Sequence, residues 1–474
     1  MCSPLLNSGI SPNRWKLPVK SLSLVAVASD TIVARATAPG LGGIGVVRLS
    51  GREAPRIAAA ILGTVPAPRL AKFAAFKDAQ GEPIDMGIAL YFQAPHSFTG
   101  EEVIEFQGHG GPAVLDLLVT RCVELGARLA RPGEFSERAF LNEKMDLVQA
   151  EAVADLIAAQ SHAAARGALR SLQGLFSKRV QALQASLSQL RVYIEAALDF
   201  PEEEIDFISD SAVTEQLQQL EEDFAQLLLH AHQGAKMRDG IKLVLLGRPN
   251  VGKSSLLNAL AERESAIVTD IPGTTRDLLN EAILLDGLPL HIVDTAGLHD
   301  TNDPIEQEGM KRAQEVAAEA DHILLIVDDE RGFNTEDETL LNHYSSAVPV
   351  TLLFNKIDLT NRKPGEVEDL GYPAVAISVT SSLGLDALKS HLLRSAGMNH
   401  QNESPFIARQ RHLLALQQAQ SCLIYGSQQL QQHRAAELLA EDLRQAQKWL
   451  SEITGELHSD DLLGQIFSSF CIGK

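Results

Sequence analysis

The chain has 474 residues, which at about 150 residues per domain suggests roughly three domains. Hydrophobic residues make up 45% and charged residues 22%, so the chain as a whole is neither disordered, nor collagen-like, nor a coiled coil. Lysine and arginine number 41 against 61 aspartates and glutamates, a net charge of −20 and a pI near 5.1, so any nucleic-acid binding must work through local patches against the overall field.

Residues 1–29 hold Arg14, Lys16 and Lys20 and no acid before Asp30. They have part of the character of an organellar transit peptide without its Arg-rich amphipathic pattern. A cytoplasmic location is the expectation, a mitochondrial one the alternative. No apolar run approaches the roughly 18 residues of a membrane span. Cys2, Cys122, Cys422 and Cys471 are scattered without a CxxC or Cys/His cluster, which argues against a disulfide framework or a structural zinc site.

From Val25 to Leu141, short β-branched runs at 31–34, 44–49 and 103–106 are broken by Gly and Pro, as in a domain with a substantial sheet. Proline is then absent until Pro201, while Leu147, Ala150, Val153, Ala154 and Ile157 recur at helical spacing. After the acidic PEEEIDF segment, helical texture returns as far as His232. Between Ile241 and Met398 the runs IKLVLLG, LPLHIVD, HILLIVD, VPVTLLFNK and AVAIS alternate with helical stretches, which predicts a doubly wound α/β domain. From Phe406 onward the helical texture resumes. The expected organisation is an extension (1–29), an N-terminal domain (30–143) and one discontinuous helical domain (144–238 and 401–474, including the tail). The α/β domain (239–400) is inserted into its middle.

Gly247-Arg-Pro-Asn250-Val251-Gly252-Lys253-Ser254 fits GxxxxGK[ST] between the strand run IKLVLL and the helical run SSLLNAL. Its glycines let backbone N–H groups, through Ser255, close around phosphates; Lys253 reaches the outer phosphates and Ser254 can ligate magnesium. Asp294-Thr295-Ala296-Gly297 follows LPLHIV, where the carboxylate can hold the magnesium shell and Gly297 can meet the terminal phosphate. Asn355-Lys356-Ile357-Asp358 follows VPVTLLF. The Asp358 carboxylate can accept both the ring N–H and the exocyclic amine of guanine, and adenine lacks that amine. Ser378-Val379-Thr380 lies where a loop would support the base from the other side. Four such elements in this order, each after a strand, point to a guanine-nucleotide-binding domain.

Leu298 stands where Ras-like GTPases carry the Gln that orients the attacking water, so another group must take that part. The preceding loop offers Thr269, Asp270, Ile271, Pro272, Gly273, Thr274 and Thr275 beside the phosphates, with Thr275 a natural magnesium ligand. Arg276 reads either as an arginine finger in cis or as a loop-stabilising residue. A second route is a monovalent cation ringed by the Asn250 amide oxygen, the Thr269 and Ile271 carbonyls and the Thr274 hydroxyl. Such a cation would do the work of an arginine finger, roughly 10³–10⁵ in rate. Chemistry alone leaves both routes open.

VTDIPGTTRD, DTAGL, a GTPase domain embedded in helices and the terminal Cys471-Ile-Gly-Lys474 together resemble the tRNA-modification GTPase family MnmE, also called TrmE. The likeness continues in TIVARATAPGLGGIGVVRLSG from Thr31, SFTGEEVIEFQGHGGP from Ser97 and RPGEFSERAFLNEKMDLVQAEAV from Arg131. It implies a multidomain α/β + α chain: an N-terminal α+β tetrahydrofolate-binding domain, a discontinuous helical domain, and an inserted Ras-like P-loop GTPase domain activated by potassium. It further implies a homodimer and a heterotetramer with the flavoprotein MnmG. The implied reaction is a carboxymethylaminomethyl-type addition to carbon 5 of the wobble uridine of certain tRNAs, with a one-carbon unit from 5-formyl- or methylene-tetrahydrofolate.

By motif position, the resemblance places Arg48, Glu105, Lys144 and Lys474 on folate, and Asn250, Thr269, Ile271 and Thr274 on potassium. Ser254 and Thr275 fall on magnesium, Glu306 on the general base, and Cys471 on the thiolate of the modification chemistry. Asp300, Asp303 and Glu308 share the acidic stretch of Glu306, so the residues alone do not single it out. Glu105, taken alone on EEVIEF, reads as an exposed strand carboxylate. Val379 stands where the family usually carries alanine. The alternative function is a ribosome-assembly GTPase of the Era or Der type, which would carry an RNA-binding KH-like module where this chain has a Gln/Leu-rich tail.

Overall fold

Period-two alternation between a core face and a second face organises the first sheet. In chain order its elements are β1 (Ile32–Arg35), β2 (Gly42–Ser50), α1 (Ala54–Leu62), β3 (Lys72–Lys77), β4 (Pro83–Phe92), β5 (Val103–Gly110), α2 (Pro112–Glu124), β6 (Arg128–Leu129) and α3 (Glu134–Leu141). The computed structural model describes residues 30–199, 211–263, 280–294, 320–344, 348–367, 371–398, 406–457, 459–470 and 473. They divide into two units, residues 1–144 with 464–474, and residues 145–463.

The strand order of the first unit is β3-β4-β5-β2-β1-β6, antiparallel except for the β1–β6 pair. Val33, Val47, Leu49, Ile104 and Phe106 face Ile57, Ile61 and Leu118 of α1 and α2 in one core. Alternation sends Ile32 and Ala34 to the other face, where they meet Ala130, Phe135 and Phe98. Gly87 of β4 passes so close to the Gln107 carbonyl that a Cβ there would collide with it. The described residues from Gly464 onward pack with this unit, at the end of the helical part of the chain. The reason is apolar: Phe467 and Phe470 are buried, with the Phe467 ring 6.5 Å from that of Phe140. A Cβ on Gly133 would lie 2.5 Å from the Phe467 carbonyl oxygen, so only glycine admits this approach.

The second unit opens with α4 (Leu147–Ala158), whose N-terminus is closed by an Asp146–Gln149 capping box. Then follow α5 (His162–Leu172), α6 (Leu175–Asp199) and α7 (Ser211–Asp239), the last running seven residues past His232. The α/β part comprises β7 (Ile241–Leu246), α8 (Lys253–Arg263), β8 (Asn280–Leu285), β9 (Leu288–Asp294), β10 (His322–Asp328), α9 (Thr335–Tyr344), β11 (Val350–Asn355), α10 (Ile357–Thr360), β12 (Gly365–Val367), β13 (Ala374–Ala376) and α11 (Leu385–Ser395). The helices α12 (Gln410–His433), α13 (Ala436–Thr454) and α14 (Asp460–Ser468) complete the chain. Among the described residues no helix is long and apolar enough to cross a membrane.

Helices from both sides of the inserted domain share one core: Phe176, Leu190 and Phe224 pack with Phe406, Leu416, Leu443 and Leu450. The Phe176 and Phe406 rings stack at 4.6 Å. The two chain crossings into the α/β domain are tied to α4 by charge. Asp155 Oδ1 accepts from Arg238 Nε (2.8 Å) and Arg409 Nη2 (2.7 Å), and Glu151 takes a two-pronged bond from Arg411 (2.7 and 2.8 Å). Burial disfavours the Glu151 carboxylate, yet His412 and Arg411 outweigh it and hold its pKa well below the usual range.

The inserted sheet has the order β12-β13-β11-β10-β7-β9-β8. Its five inner strands are parallel, and the edge strands β8 and β12 are antiparallel to their neighbours. Because β7 is flanked by β9 on one side and β10 on the other, the strand order reverses there. Ligand crevices form at such a switch point, outside the carboxyl ends of the strands.

Candidate nucleotide site and a second polar site on the N-terminal sheet

β7 delivers the chain into the Gly247–Lys253 loop, and two glycines make its path possible. Gly247 has φ +147°, and a Cβ there would sit 2.6 Å from the Ile326 carbonyl oxygen. Gly252 has φ +101°, and a Cβ would collide with the Asn355 amide nitrogen. Asn250 occupies the left-handed region at φ +65°, which Asn tolerates better than most residues. The loop leads into the N-terminus of α8, whose free N–H groups and dipole favour an anion. Lys253 is buried, and its Nζ donates to the carbonyls of Gly247 and of Arg248, the latter at 3.1 Å. Ser254 and Ser255 are exposed on the first turn of that helix.

The base-recognition side converges on Asn355, at the end of β11. Its Nδ2 donates to the Val251 carbonyl at 2.8 Å, and its Oδ1 accepts from the backbone N–H groups of Lys356 (2.8 Å) and Val379 (3.2 Å). One buried side chain thus stitches together the phosphate loop, the NKID turn and the Ser378–Thr380 loop. Because the Val379 contact is made by its backbone, the valine in place of alanine leaves it intact. Ser378 is fully buried and donates to Asp358 Oδ1 at 2.6 Å, which fixes the carboxylate while leaving it lone pairs for a base. Ile357 is core, and Thr380 is exposed. Lys356 Nζ pairs with Asp328 Oδ2 at 2.7 Å. Burial raises the pKa of Asp328, but the bonds from Lys356 and the Glu330 N–H hold it below the ordinary value.

Asp294 ends β9, beside β7. Thr269 to Thr275, Arg276, Thr295 to Gly297, Leu298 and Glu306 lie outside the described residues, as do Cys471 and Lys474.

On the second face of the N-terminal sheet, Arg48 of β2 stands directly opposite Glu105 of β5. Their Nε–Oε1 distance is 2.9 Å, and the side chains are 16% and 15% exposed. Glu105 is therefore a half-hidden, paired group, not the exposed strand carboxylate that its alternating run suggested. The Arg48 guanidinium lies 5.6 Å from the Phe98 ring centre and 5.8 Å from that of Phe135. Its Nη1 also reaches the Gly473 carbonyl at 3.4 Å. Gly473, at φ +97°, lies so close to the Arg35 carbonyl that any Cβ would collide, so the tail next to Lys474 is seated against β1. Gln107 Nε2 donates to Glu105 Oε2 at 3.4 Å. Lys144 Nζ donates to the Pro95 carbonyl at 2.9 Å, on the same loop that supplies Phe98.

Sequence reasoning missed Gln107, Phe98 and Phe135. The two-residue step from Glu105 to Gln107 could have revealed the first; no local signal marks the two aromatic rings.

A doubly wound sheet with these loops at its switch point defines a P-loop domain of the Ras-like GTPase class, set within a helical domain and preceded by a separate α+β unit. Two family models match the chain: the MnmE helical domain over residues 147–471, and the GTP-binding protein TrmE N-terminus over residues 31–144. The chain belongs to the MnmE family. It is 56% identical to the tRNA modification GTPase MnmE of Hydrogenovibrio crunogenus, over 94% of this chain and 99% of that protein. Identity is 56% to the protein of that name from Chromohalobacter salexigens (94% and 98%) and 53% to that from Yersinia pestis (94% and 99%).

Proposed function

We propose that this protein hydrolyses GTP as part of tRNA modification, and that the tie of Asn355 to both Val251 and Val379 is the observation that carries the nucleotide reading. That tie holds the phosphate loop and the base loops in one register, so an acceptor at Asp358 reads guanine while α8 faces the phosphates. Family membership over nearly the whole chain supports the tRNA part and disfavours the Era or Der alternative.

The exposed Ser254 hydroxyl at the start of α8 is a hard oxygen ligand of the kind magnesium takes, with Thr275 as its expected companion. The left-handed Asn250 fits the expected potassium set with Thr269, Ile271 and Thr274. A monovalent cation there would supply positive charge as the phosphoryl group is transferred. Glu306 would take the water's proton, since Leu298 has no group that could. On the N-terminal sheet, the Glu105 carboxylate suits the donor edge of a pterin, and the rings of Phe98 and Phe135 suit a flat heterocycle beside it. Arg48, paired with Glu105 beside the same rings, would sit at the pterin end, Lys144 and Lys474 would suit folate's acidic end, and bound tetrahydrofolate would supply the one-carbon unit. The seat of Gly473 against β1 supports bringing Cys471 into that neighbourhood. A homodimer working with MnmG in the cytoplasm completes the reading.

Nucleoside analysis of tRNA from a deletion strain tests it. The carbon 5 modification of wobble uridines should vanish, return with the wild-type gene, and stay absent with Cys471→Ser. Unchanged wobble uridines in the deletion strain would defeat the tRNA assignment, and equal GTP turnover in KCl and NaCl would remove the potassium role.

A further inference from the structure

Arg248, the second residue of the phosphate loop, was part of a motif and nothing more at the level of sequence. In the structure its side chain turns to the start of α9. Its Nε donates to Asp337 Oδ1 at 2.9 Å, its Nη1 pairs with Glu336 Oε2 at 2.8 Å, and its Nη2 donates to Asn334 Oδ1. Three acceptors for one guanidinium make this a built contact and not a passing surface pair. Asp337 is 3% exposed and also accepts from the Asn334 N–H at 3.2 Å, so removing Arg248 would leave a buried carboxylate without its cation. The Arg248 carbonyl meanwhile accepts from Lys253 Nζ at 3.1 Å. One residue therefore anchors the loop to α9 through its side chain and steadies the phosphate lysine through its backbone.

The segment that Arg248 grips is tied at its other end to the guanine side. Asp328 pairs with Lys356 at 2.7 Å, the Asp329 N–H donates to the Asn355 carbonyl at 2.9 Å, and Arg362 pairs with Asp329 at 2.9 Å. The residues from Asp328 to Asp337 thus touch the base loop at one end and the phosphate loop at the other. Asn355 to Val251 is the direct tie between the same two loops.

We propose that Arg248 and Asp337 are positioning residues for the GTPase reaction: their contact makes the segment 328–337 a brace that sets the spacing of the phosphate and guanine loops and thereby governs how long nucleotide stays bound. This rests on the nucleotide reading above. With the brace gone, the phosphate loop loses its side-chain anchor to α9 and keeps the Asn355 tie to the guanine side, so it samples positions in which it cannot grip phosphates and base together. Release of GDP and GTP should speed up alike, because the loss is in loop geometry and not in any contact to the third phosphate.

The test is stopped-flow release of fluorescent GDP and of a fluorescent, slowly hydrolysed GTP analogue from the full-length protein, with steady-state GTPase kinetics and thermal unfolding alongside. Arg248→Ala and Asp337→Asn should each speed release of both nucleotides about tenfold, the scale of one charge-assisted hydrogen bond. KM should rise more than kcat falls. The double variant should be no worse than the worse single one, since both remove one contact. Arg248→Lys keeps the charge, but its single compact nitrogen does not span the acceptors that three separate guanidinium nitrogens reach, so it should fall between. Glu336→Ala, at a site 78% exposed that carries little folding risk, should give a rise of about twofold. If the single variants fold and release nucleotide at the wild-type rate, or if their effects add in the double variant, the brace is wrong while the nucleotide site stands. If the wild-type protein retains no guanine nucleotide, the site assignment itself falls and takes this inference with it.

Discussion

At the nucleotide end of the β7–β13 sheet, every candidate residue lies at the end of its own strand or in the loop that follows: Lys253 beyond the loop after β7, Asp294 closing β9, Asn355 closing β11, Ser378 two residues after β13. On the N-terminal sheet, the candidate residues sit in mid-strand on one face and meet only across the sheet. Arg48 and Glu105 are 57 positions apart, and Arg48 and Gly473 are 425 apart. A parallel sheet gathers its strand ends at one edge, so its site is written in short consecutive motifs. An antiparallel sheet builds a site through register, and a slip of one residue would turn Arg48 into the core. The first kind of site announces itself in the chain; the second depends on register and is silent until the strands are paired.

The sharpest way to break this contrast is Asp358→Asn. A single loop residue should carry the base preference, because an amide presents a donor where guanine needs an acceptor. GTP binding should weaken by roughly 10⁴-fold and xanthosine triphosphate should become the better ligand, read by competition with a fluorescent nucleotide. Binding of GTP unchanged by the substitution would mean that the base is read elsewhere.

The same comparison on the N-terminal sheet concerns Glu105→Gln, which keeps the shape and removes the charge that faces Arg48. Binding of 5-formyl-tetrahydrofolate, followed by calorimetry, should weaken roughly 10–100-fold, as for the loss of one or two charge-assisted hydrogen bonds. GTP release should not change. Full folate affinity in the variant would return Glu105 to a purely structural pairing with Arg48.

Acid should separate the two units, with the smallest effect of the three. His322 is 6% exposed and shares the Thr351 hydroxyl with His391, at 2.9 and 2.8 Å. Burial, aided by His391 and Lys236, pushes its pKa down to about 4. The unfolded chain protonates this histidine near pH 6.5 while the folded one does not. The stability involved is therefore fully present above about 6.5 and is lost as pH falls towards 4. At pH 5 the loss is of order 2 kcal/mol. His391, depressed by burial, acts in the same direction. In the N-terminal unit, burial raises Asp30 and Asp85, but Arg128 and Arg138 for the first and His109 for the second hold them below the ordinary carboxylate value. Their contribution persists until pH falls below about 4. Hydrogen exchange at pH 7 and pH 5 should thus show the second unit loosening first. His322→Gln, which can still bond Thr351 and does not titrate, should lose less; equal sensitivity in wild type and variant would clear His322 of the effect.

The sequence by itself determined the inserted α/β domain, its flanking helices and the phosphate, NKID and Ser378 loops, because each depends on local periodicity or on residues contiguous in the chain. It overlooked the mixed-composition strands β3, β4 and the edge strand β8, whose polar and small residues carry no strong strand signal; pairing with stronger neighbours settles them. Only the tertiary structure decided that the described residues from Gly464 onward pack with the N-terminal unit, through Phe467 and Phe470. It alone seated Gly473 under Arg48 and gave Arg48 its aromatic walls. It also joined Arg248 to Asp337 across 89 positions. Those are contacts between residues far apart in sequence, fixed by which surfaces bury together and which charges must then find partners, and no window along the chain contains both halves of any of them.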